Sequence, residues 1–205
     1  MNLQERFTHQ GLKFINNPQL IGSFWAEIHK KYTERGRHYH NLQHLEQMFS
    51  ELDAVEDHIA DFSTVTFSVF YHDVIYDAAS KANEEKSAER AVMRLKTLNI
   101  SQDIINKVSE QIIATKAHLR SADHDINYLL DADLSVLGKD RETYLDYTRK
   151  IRKEYSVYPD FLYKPGRKKV LQHFLEQESI FKTDEFREKY EGAARENISR
   201  EIGSL

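Results

Sequence analysis

The sequence predicts an all-α protein, a single-domain bundle of helices. Its 205 residues include only 7 Gly and 3 Pro, too few for the many tight turns of a β-sandwich or barrel. Apolar residues recur along most of the chain with the 3.6-residue period of amphipathic helices. The hydrophobic fraction of 40% and the charged fraction of 30% are typical of a globular protein with a sizeable core. One domain spanning residues 1–205 is therefore expected.

Composition also narrows the classes of function. The formal charge of -4 argues against non-specific nucleic-acid binding, so no nucleic-acid partner is expected. The absence of Cys excludes disulfides, thiolate metal sites and a cysteine nucleophile. The first residues lack the basic and apolar regions of a signal peptide, and no apolar run reaches membrane-spanning length. We therefore expect a cytoplasmic protein that does not bind membranes.

Three amphipathic helices are predicted at the start of the chain. Leu3 and Phe7 begin a short one, and Pro18 suits the first turn of the second. The second helix carries a periodic apolar face as far as Tyr32. Asn41 is the expected N-cap of the third, which has its own apolar stripe.

The segment from Asp61 to Tyr76 is predicted to be a fully buried helix. Its Val, Thr and Phe content would also suit a strand, but a length of about four turns favours a helix. His72 and Asp73 interrupt this apolar run, and burying them is costly unless they are paired or bind a metal. The pair is therefore either a hydrogen-bonded acid beside a core histidine, or two ligands of one ion.

The remaining helices are predicted from caps and apolar faces. Asn83 is the expected N-cap of a helix whose first acids suit the helix dipole. A basic run from Lys164 to Lys169 either contacts phosphate or is a solvated helix start. The predicted segments are about 83–98, 101–115, 128–138, 141–155 and 164–175, with a last helix capped by Thr183.

Further acids and histidines recur near apolar faces. Asp131 and Asp133 interrupt an apolar helical run as Asp73 does, which suggests a shared polar centre. His40 and His44 are one helical turn apart and can point at one ion if the helix extends back to His40, or they form a solvated pair. His44 lies closer to the buried stripe, so it is the better candidate ligand.

The ordered set formed by His44, the His72-Asp73 doublet and Asp133 resembles the HD superfamily of metal-dependent phosphohydrolases. The likeness is greatest to a bacterial subfamily of stand-alone predicted HD phosphohydrolases and covers the chain from about Trp25 to Ile202. The stretches that carry it are Arg37-x-Tyr39-His40-Asn41-x-x-His44, Tyr71-His72-Asp73-x-x-Tyr76-Asp77, Asn83-Glu84-Glu85-x-Ser87-Ala88, Asp131-Ala132-Asp133-Leu134 and Ala194-Arg195-x-Asn197-Ile198.

The resemblance implies an HD-type helical domain with a metal-site core at about residues 25–140 and a C-terminal helical extension packed on it. It also implies that His44, His72, Asp73 and Asp133 bind a divalent cation. Two neutral imidazoles and two carboxylates make a formally neutral site, which suits Mn²⁺, Mg²⁺, Co²⁺, Ni²⁺ or Fe²⁺ better than a closed structural zinc site. The implied activity is hydrolysis of a phosphate ester, from a nucleotide or related small molecule, by metal-activated water.

Residues near these ligands are candidates for proton transfer and phosphate binding. Asp77 would share a face with Asp73 if the helix persisted, and Glu84 lies just past the connecting loop. His118, at the end of a helical segment, is the third candidate for proton transfer. The candidate phosphate-binding cations are Arg37, Lys116 and Arg167.

Two other functions are consistent with the same fold. A di-iron oxygenase would need two more histidines before the last Asp, and His118 and His124 occur in that interval. Their separation across a helix end makes joint ligation of an iron less natural. The second alternative is a non-catalytic nucleotide-sensing module. The apolar content of the terminal helices also leaves room for a homodimer.

Overall fold

Helix boundaries follow local capping chemistry. The side chains of Asn17, Asn41, Asp61 and Asp140 each accept a hydrogen bond from a backbone N–H in the first turn of the helix that follows. Pro18 occupies the first turn of its helix, where a missing N–H costs nothing. The cap predicted at Asn41 is therefore confirmed, and Asp61, where the next helical segment was predicted to start, is the N-cap of that helix.

The computed structural model describes residues 1–205 and contains α-helices and two short 3₁₀ segments but no strand, which confirms the all-α prediction. The α-helices are α1 (Leu3–Leu12), α2 (Pro18–Tyr32), α3 (Leu42–Asp53), α4 (Phe62–Tyr71), α5 (Asn83–Thr97), α6 (Gln102–Ala114), α7 (His124–Leu134), α8 (Arg141–Glu154), α9 (Asp160–Glu176) and α10 (Asp184–Ser204). The 3₁₀ segments are Glu56–His58 and Ser135–Gly138. None of the helices is both long and apolar enough to cross a bilayer.

Helix α4 is the centre of the bundle. Every residue from Thr64 to Tyr71 is buried, and the helix packs against α1, α3, α5, α6 and α7. One continuous apolar core runs from Leu3 in α1 to Ile198 in α10. Because α4 is surrounded on all sides, its C-terminal end delivers the residues that follow it to the middle of the molecule.

The prediction that this helix continues to Tyr76 is wrong, because α4 ends at Tyr71. The Arg37 guanidinium donates to the carbonyl oxygens of Asp73 (2.6 Å) and Val74 (3.1 Å), which a continuing helix would need for itself. The Ser87 hydroxyl pairs with the backbone N–H and C=O of Ile75 at 3.1 and 3.2 Å. These contacts stabilise a turn in place of the last helical turns.

Three other boundaries differ from prediction, and one of them is that of α7, which spans His124–Leu134 instead of about 128–138. Ala82 is the N-cap of α5, while the Asn83 side chain bonds both backbone groups of Asp77 across the loop, at 3.1 and 3.0 Å. Helix α9 begins at Asp160 rather than near Lys164, with Pro165 inside it. Since proline has no N–H, the usual bond from position 165 back to the Phe161 carbonyl cannot form.

Candidate metal centre

Three helices converge on a buried group of ligand atoms. His44 lies in the first turn of α3, His72 directly after α4 and Asp133 near the end of α7. One ligand atom from each lies within 4.8 Å of the other two. His44 Nε2 is 3.1 Å from Asp133 Oδ1 and 3.3 Å from His72 Nε2. Separations of this size let all three side chains bind one cation.

Asp73 lies at the edge of this group. Its Oδ2 is 3.2 Å from His72 Nε2 and 3.9 Å from His40 Nε2. Its backbone N–H donates to the Tyr32 hydroxyl at 3.2 Å, and its carbonyl accepts from Arg37. The backbone of Asp73 is therefore held by structural contacts, while its carboxylate faces the histidines.

The tautomer of His72 suits metal binding. Its Nδ1 is 2.9 Å from the Val69 carbonyl oxygen, which can only accept, so Nδ1 carries a proton. In the neutral ring, Nε2 then directs a lone pair at the group. Burial lowers the pKa of His72, but the negative charges of Asp73 and Asp133 outweigh it and raise the pKa to about 9. A cation that binds there must displace the Nε2 proton.

The pKa values of the two other candidate ligands, His44 and Asp133, are shifted for different reasons. Burial lowers the pKa of His44 despite its hydrogen bond to Asp133, so this imidazole is neutral and able to bind a cation. Burial alone would raise the pKa of Asp133, but hydrogen bonds from His118 and His44 and the charge of His72 hold it well below its usual range. An ionised carboxylate beside a neutral imidazole is a suitable donor set for a divalent ion.

His118 orients Asp133. Its Nε2 is 2.9 Å from Asp133 Oδ2, so each carboxylate oxygen has its own imidazole partner. His118 has a φ of 50°, in the left-handed region, and its N–H donates to the Ala114 carbonyl at 3.2 Å. This conformation costs a non-glycine residue roughly 1–2 kcal/mol, and it occurs four residues after α6 ends at Ala114, where the imidazole contacts the Asp133 carboxylate.

A cavity of about 720 Å³ opens beside this group. Its lining includes the predicted residues Glu84, Lys116, His118, Asp133 and Arg167. His44 and His72 are 2% and 1% exposed and are not part of the lining, but both lie within 4 Å of Asp133 Oδ1. The structure therefore brings five predicted site residues to the wall of one cavity, with two predicted ligands buried next to Asp133.

His40 and Glu154 were missed as a pair in the sequence. His40 lines the cavity, and its Nδ1 is 2.6 Å from Glu154 Oε2. The other oxygen of Glu154 accepts from the N–H groups of His38, Tyr39 and His40 at 2.7–2.9 Å. Tyr76 stacks on His40 with ring centroids 4.3 Å apart and donates its hydroxyl to Glu154 at 3.1 Å. The only sequence signal was the His40–His44 spacing, because Glu154 is one of many charges in α8.

The pKa values of this pair move in opposite directions. Burial lowers the pKa of His40, but Asp73 and Glu154 outweigh it and raise the pKa. Burial raises the pKa of Glu154, but the hydrogen bond from His40 and the backbone N–H donors lower it to about 2. An ion pair of His40 and Glu154 therefore holds the loop before α3 beside the metal-centre residues.

Each of the predicted phosphate-binding cations is already paired with other groups of the protein. Arg37 is buried, donates to three backbone carbonyls and lies over the Tyr32 ring, outside the cavity lining. Lys116 pairs with Glu85 and the Lys81 carbonyl. Arg167 forms a bidentate pair with Glu201 at 2.8 and 3.1 Å. Each cation has a structural role that the sequence did not indicate.

The two predicted proton-transfer carboxylates are placed differently. Because α4 ends before it, Asp77 does not share a helix face with Asp73. Its exposed side chain accepts from the Ala79 N–H at 2.9 Å, and it is not part of the cavity lining. Glu84 is half-buried in the first turn of α5 and faces the cavity.

Two residues near the centre prove separate from it. Asp131 accepts from the backbone N–H groups of Lys182 and Thr183 at 2.7 Å, and from the Thr183 hydroxyl, so it anchors the start of α10. His124 is exposed at the first residue of α7 and does not line the cavity. The His118–His124 set considered for a second iron is therefore not assembled around Asp133.

No protein-family model matches the chain, and no curated protein or solved structure matches it. The resemblance to HD phosphohydrolases therefore stays a prediction.

Proposed function

We propose that the protein is a metal-dependent phosphohydrolase that cleaves a phosphate ester with water. The observation that carries the proposal is the group of His44, His72 and Asp133, with Asp73 beside it, at the buried end of a cavity large enough for a small organic molecule. The order of these residues along the chain agrees with the family resemblance noted in the sequence.

The donor set fits a divalent cation that keeps open positions. His44, His72, Asp73 and Asp133 would hold it through two nitrogens and two carboxylates, which balance its charge. His118 would keep the Asp133 carboxylate oriented, as outer partners of metal ligands do. When bound, such an ion lowers the pKa of a coordinated water and polarises a phosphoryl oxygen.

The chain also supplies groups that handle protons at the cavity wall. His40 is held by Glu154 through Nδ1, so its Nε2 is the atom that holds or gives a proton toward the cavity. Glu84 has no side-chain hydrogen-bond partner, and its carboxylate is free to accept a proton from water or substrate. Glu84 therefore stays a proposed proton carrier, His40 takes the place of Asp77, and His118 is assigned to orienting Asp133.

The proposal is tested by metal analysis joined to a substrate screen. The purified protein would be assayed for bound metal, then for phosphate release from a panel of phosphate monoesters and diesters with Mn²⁺, Mg²⁺, Co²⁺, Ni²⁺ and Fe²⁺. We expect metal-dependent phosphate release that His72→Ala and Asp133→Ala abolish. His124→Ala, which removes an exposed histidine from the same region, should keep it.

Three results would overturn the proposal. The first is the absence of hydrolysis with every metal. The second is unchanged metal content and hydrolysis in both ligand variants. The third is two irons per chain with substrate-dependent oxygen uptake, which would assign the protein to the oxygenases.

A further inference from the structure

The turn between α8 and α9 exposes apolar side chains at one place on the surface. Val157, Phe161 and Leu162 are 68%, 74% and 53% exposed, and we call these three residues the apolar tip. Single exposed apolar residues are common, but three within six residues of the chain concentrate apolar surface, and such patches mark interaction sites. The proposed metal centre does not use this surface.

The turn is fixed from within the protein. The Arg152 guanidinium donates to the carbonyl oxygens of Tyr155 and Tyr158 at 2.9 and 3.0 Å. It also pairs with the Asp160 carboxylate at 2.8 Å. Because these contacts hold the backbone of the turn, the apolar tip is already ordered before anything binds to it, which lowers the entropy cost of binding.

The apolar tip lies within the most basic segment of the chain. Residues 149–169 contain eight Lys and Arg but only two acids, a net charge of +6 in a chain whose formal charge is -4. One of the two acids pairs with His40 and the other with Arg152. Four lysines of the segment are exposed and form no ion pair: Lys153, Lys164, Lys168 and Lys169. The segment therefore has unpaired positive charge and no unpaired negative charge, so it attracts an anionic surface.

The start of α9 presents apolar and basic groups together. Phe161, Lys164 and Lys168 are three and four residues apart, so they lie on one face of the helix, and all three are exposed. A helix face that combines an aromatic side chain with lysines is typical of segments that lie in the interface of a membrane.

From these observations we infer that the turn and the start of α9 form a docking surface for an anionic phospholipid bilayer. The apolar tip enters the headgroup region, and the four unpaired lysines contact the lipid phosphates. A bilayer offers an apolar phase beside fixed negative charge, whereas a nucleic acid offers the charge without an apolar phase for Val157 and Leu162. The sequence-based expectation of no membrane binding depended on the absence of a spanning run, and binding at the interface needs none.

The first test is sedimentation of the full-length protein with lipid vesicles. We expect binding to phosphatidylcholine vesicles that contain phosphatidylserine, little binding to vesicles of phosphatidylcholine alone, and weaker binding as the NaCl concentration rises. Equal binding to both kinds of vesicle, or no binding to the anionic ones, would overturn the inference. So would binding of a single-stranded oligonucleotide by a protein that does not bind the anionic vesicles, since that result assigns the basic segment to nucleic acid.

The contribution of the lysines is measured by reversing their charge. The double variant Lys164→Glu, Lys168→Glu should bind the anionic vesicles about 30-fold more weakly or worse. The matched control is Lys86→Glu, Lys96→Glu, which makes the same change in net charge at two exposed and unpaired lysines of α5. Equal losses in the two double variants would show that net charge alone attracts the protein to the vesicles, and the docking surface would be wrong.

The contribution of the apolar tip is measured at Phe161. Phe161→Ser should weaken vesicle binding by about 10-fold or more, because a ring that enters the headgroup region is lost. Met93→Ser is the control, since Met93 is 52% exposed on α5, away from the basic segment. Both side chains are largely exposed, so both variants should keep the circular dichroism spectrum and the Tm of the unchanged protein.

Fluorescence separates insertion from attraction by charge. Phe161→Trp should emit at shorter wavelength when anionic vesicles are added, whereas Met93→Trp should not. The native Trp25 is buried and gives the same background in both variants. Vesicle binding by Phe161→Trp without a shift in its emission would show that the tip does not enter the bilayer, which contradicts the inference.

Discussion

Asp131 and Asp133 lie two residues apart on α7, in the same Asp-Ala-Asp sequence, and contact different kinds of partner. Asp131 accepts from two backbone N–H groups and a hydroxyl, whereas Asp133 faces His44 and His118. Burial raises the pKa of Asp131 in spite of its hydrogen bonds. The histidines lower the pKa of Asp133 against the same effect of burial.

The difference shows that the groups that contact a buried acid determine its role. Backbone N–H groups keep their protons, so Asp131 can only hold α10 in place. Imidazoles can exchange a proton for a cation, so the environment of Asp133 can change from a hydrogen-bonded network to a coordination sphere. The comparison predicts separable effects on metal binding and on stability.

The largest effect is expected for His72→Ala. Metal that binds only the folded protein at 100 times its Kd adds about 2.7 kcal/mol of stability, which raises the Tm of a chain of this length by about 5–10 °C. Removing His72 should abolish this Mn²⁺-dependent shift, because one nitrogen ligand is lost. Thermal unfolding with and without Mn²⁺ measures it.

His124→Ala serves as the control for that experiment and should keep the full shift, since His124 is exposed and lies outside the cavity lining. If His72→Ala kept a shift equal to that of the unchanged protein, the metal assignment of the centre would be wrong.

Asp131→Asn should affect stability and leave metal binding intact. The introduced NH₂ group or the lost acceptor leaves buried donors at Lys182 and Thr183 without a partner, which costs about 2–4 kcal/mol. Urea unfolding measures the loss, and the Mn²⁺-dependent rise in Tm should persist. Asp103→Asn, at an exposed acid in the first turn of α6, should change the free energy of unfolding by less than about 0.5 kcal/mol. Loss of metal binding with unchanged stability would contradict the assignment of Asp131.

Glu154→Gln should change how stability depends on pH. The folded-state pKa of Glu154 is about 2, below its ordinary value of 4.5, so its stabilising contribution is present above pH 4.5 and lost as pH falls toward 2. The raised pKa of His40 adds stability that is present below pH 6.5 and lost as pH rises through the raised value. The variant should therefore be less stable by about 3 kcal/mol near pH 5.5, and the difference should shrink at pH 3.

Urea unfolding of both proteins at pH 5.5 and pH 3 checks this. Glu142→Gln, an exposed acid at the start of the same helix, should follow the unchanged protein at both values. A difference between Glu154→Gln and the unchanged protein that is the same at both pH values would show that Glu154 does not act through its charge.

Much of the fold was predictable because it depends on local patterns. The cap at Asn41 and the periodic apolar faces predicted the helices, with errors at their ends. The end of α4 was not predictable, since it depends on Arg37, which is distant in sequence and binds the carbonyls of Asp73 and Val74. Local pattern contains no information about such a contact.

The grouping of the candidate ligands was predictable, and their surroundings were less so. His44, His72 and Asp133 lie together, as the family resemblance implied, in a group that could hold a metal ion. Arg167 pairs with Glu201, and His40 pairs with Glu154. Both acids lie far along the chain from their partners and resemble ordinary surface acids in the sequence. The tertiary structure determines whether a charged side chain is free or paired. The sequence alone therefore could not show whether the predicted phosphate-binding cations are available to bind phosphate.

The smallest effect is expected for Asp77→Ala, which extends the comparison to a second pair of acids. Asp73 faces His72, whereas Asp77, four residues further along the chain, is exposed and accepts from the Ala79 N–H. Losing this local bond should cost about 1 kcal/mol, as the loss of a cap does, and change kcat/KM by no more than about twofold. Asp73→Ala should instead weaken metal binding.

Phosphate-release kinetics and metal titration of the two variants check this prediction. A large loss of kcat with intact metal binding in Asp77→Ala would restore Asp77 as a proton carrier. Such a loss would require the loop from Asp73 to Asn83 to bring the carboxylate into the cavity when substrate binds, because the contacts of Asp77 hold it outside.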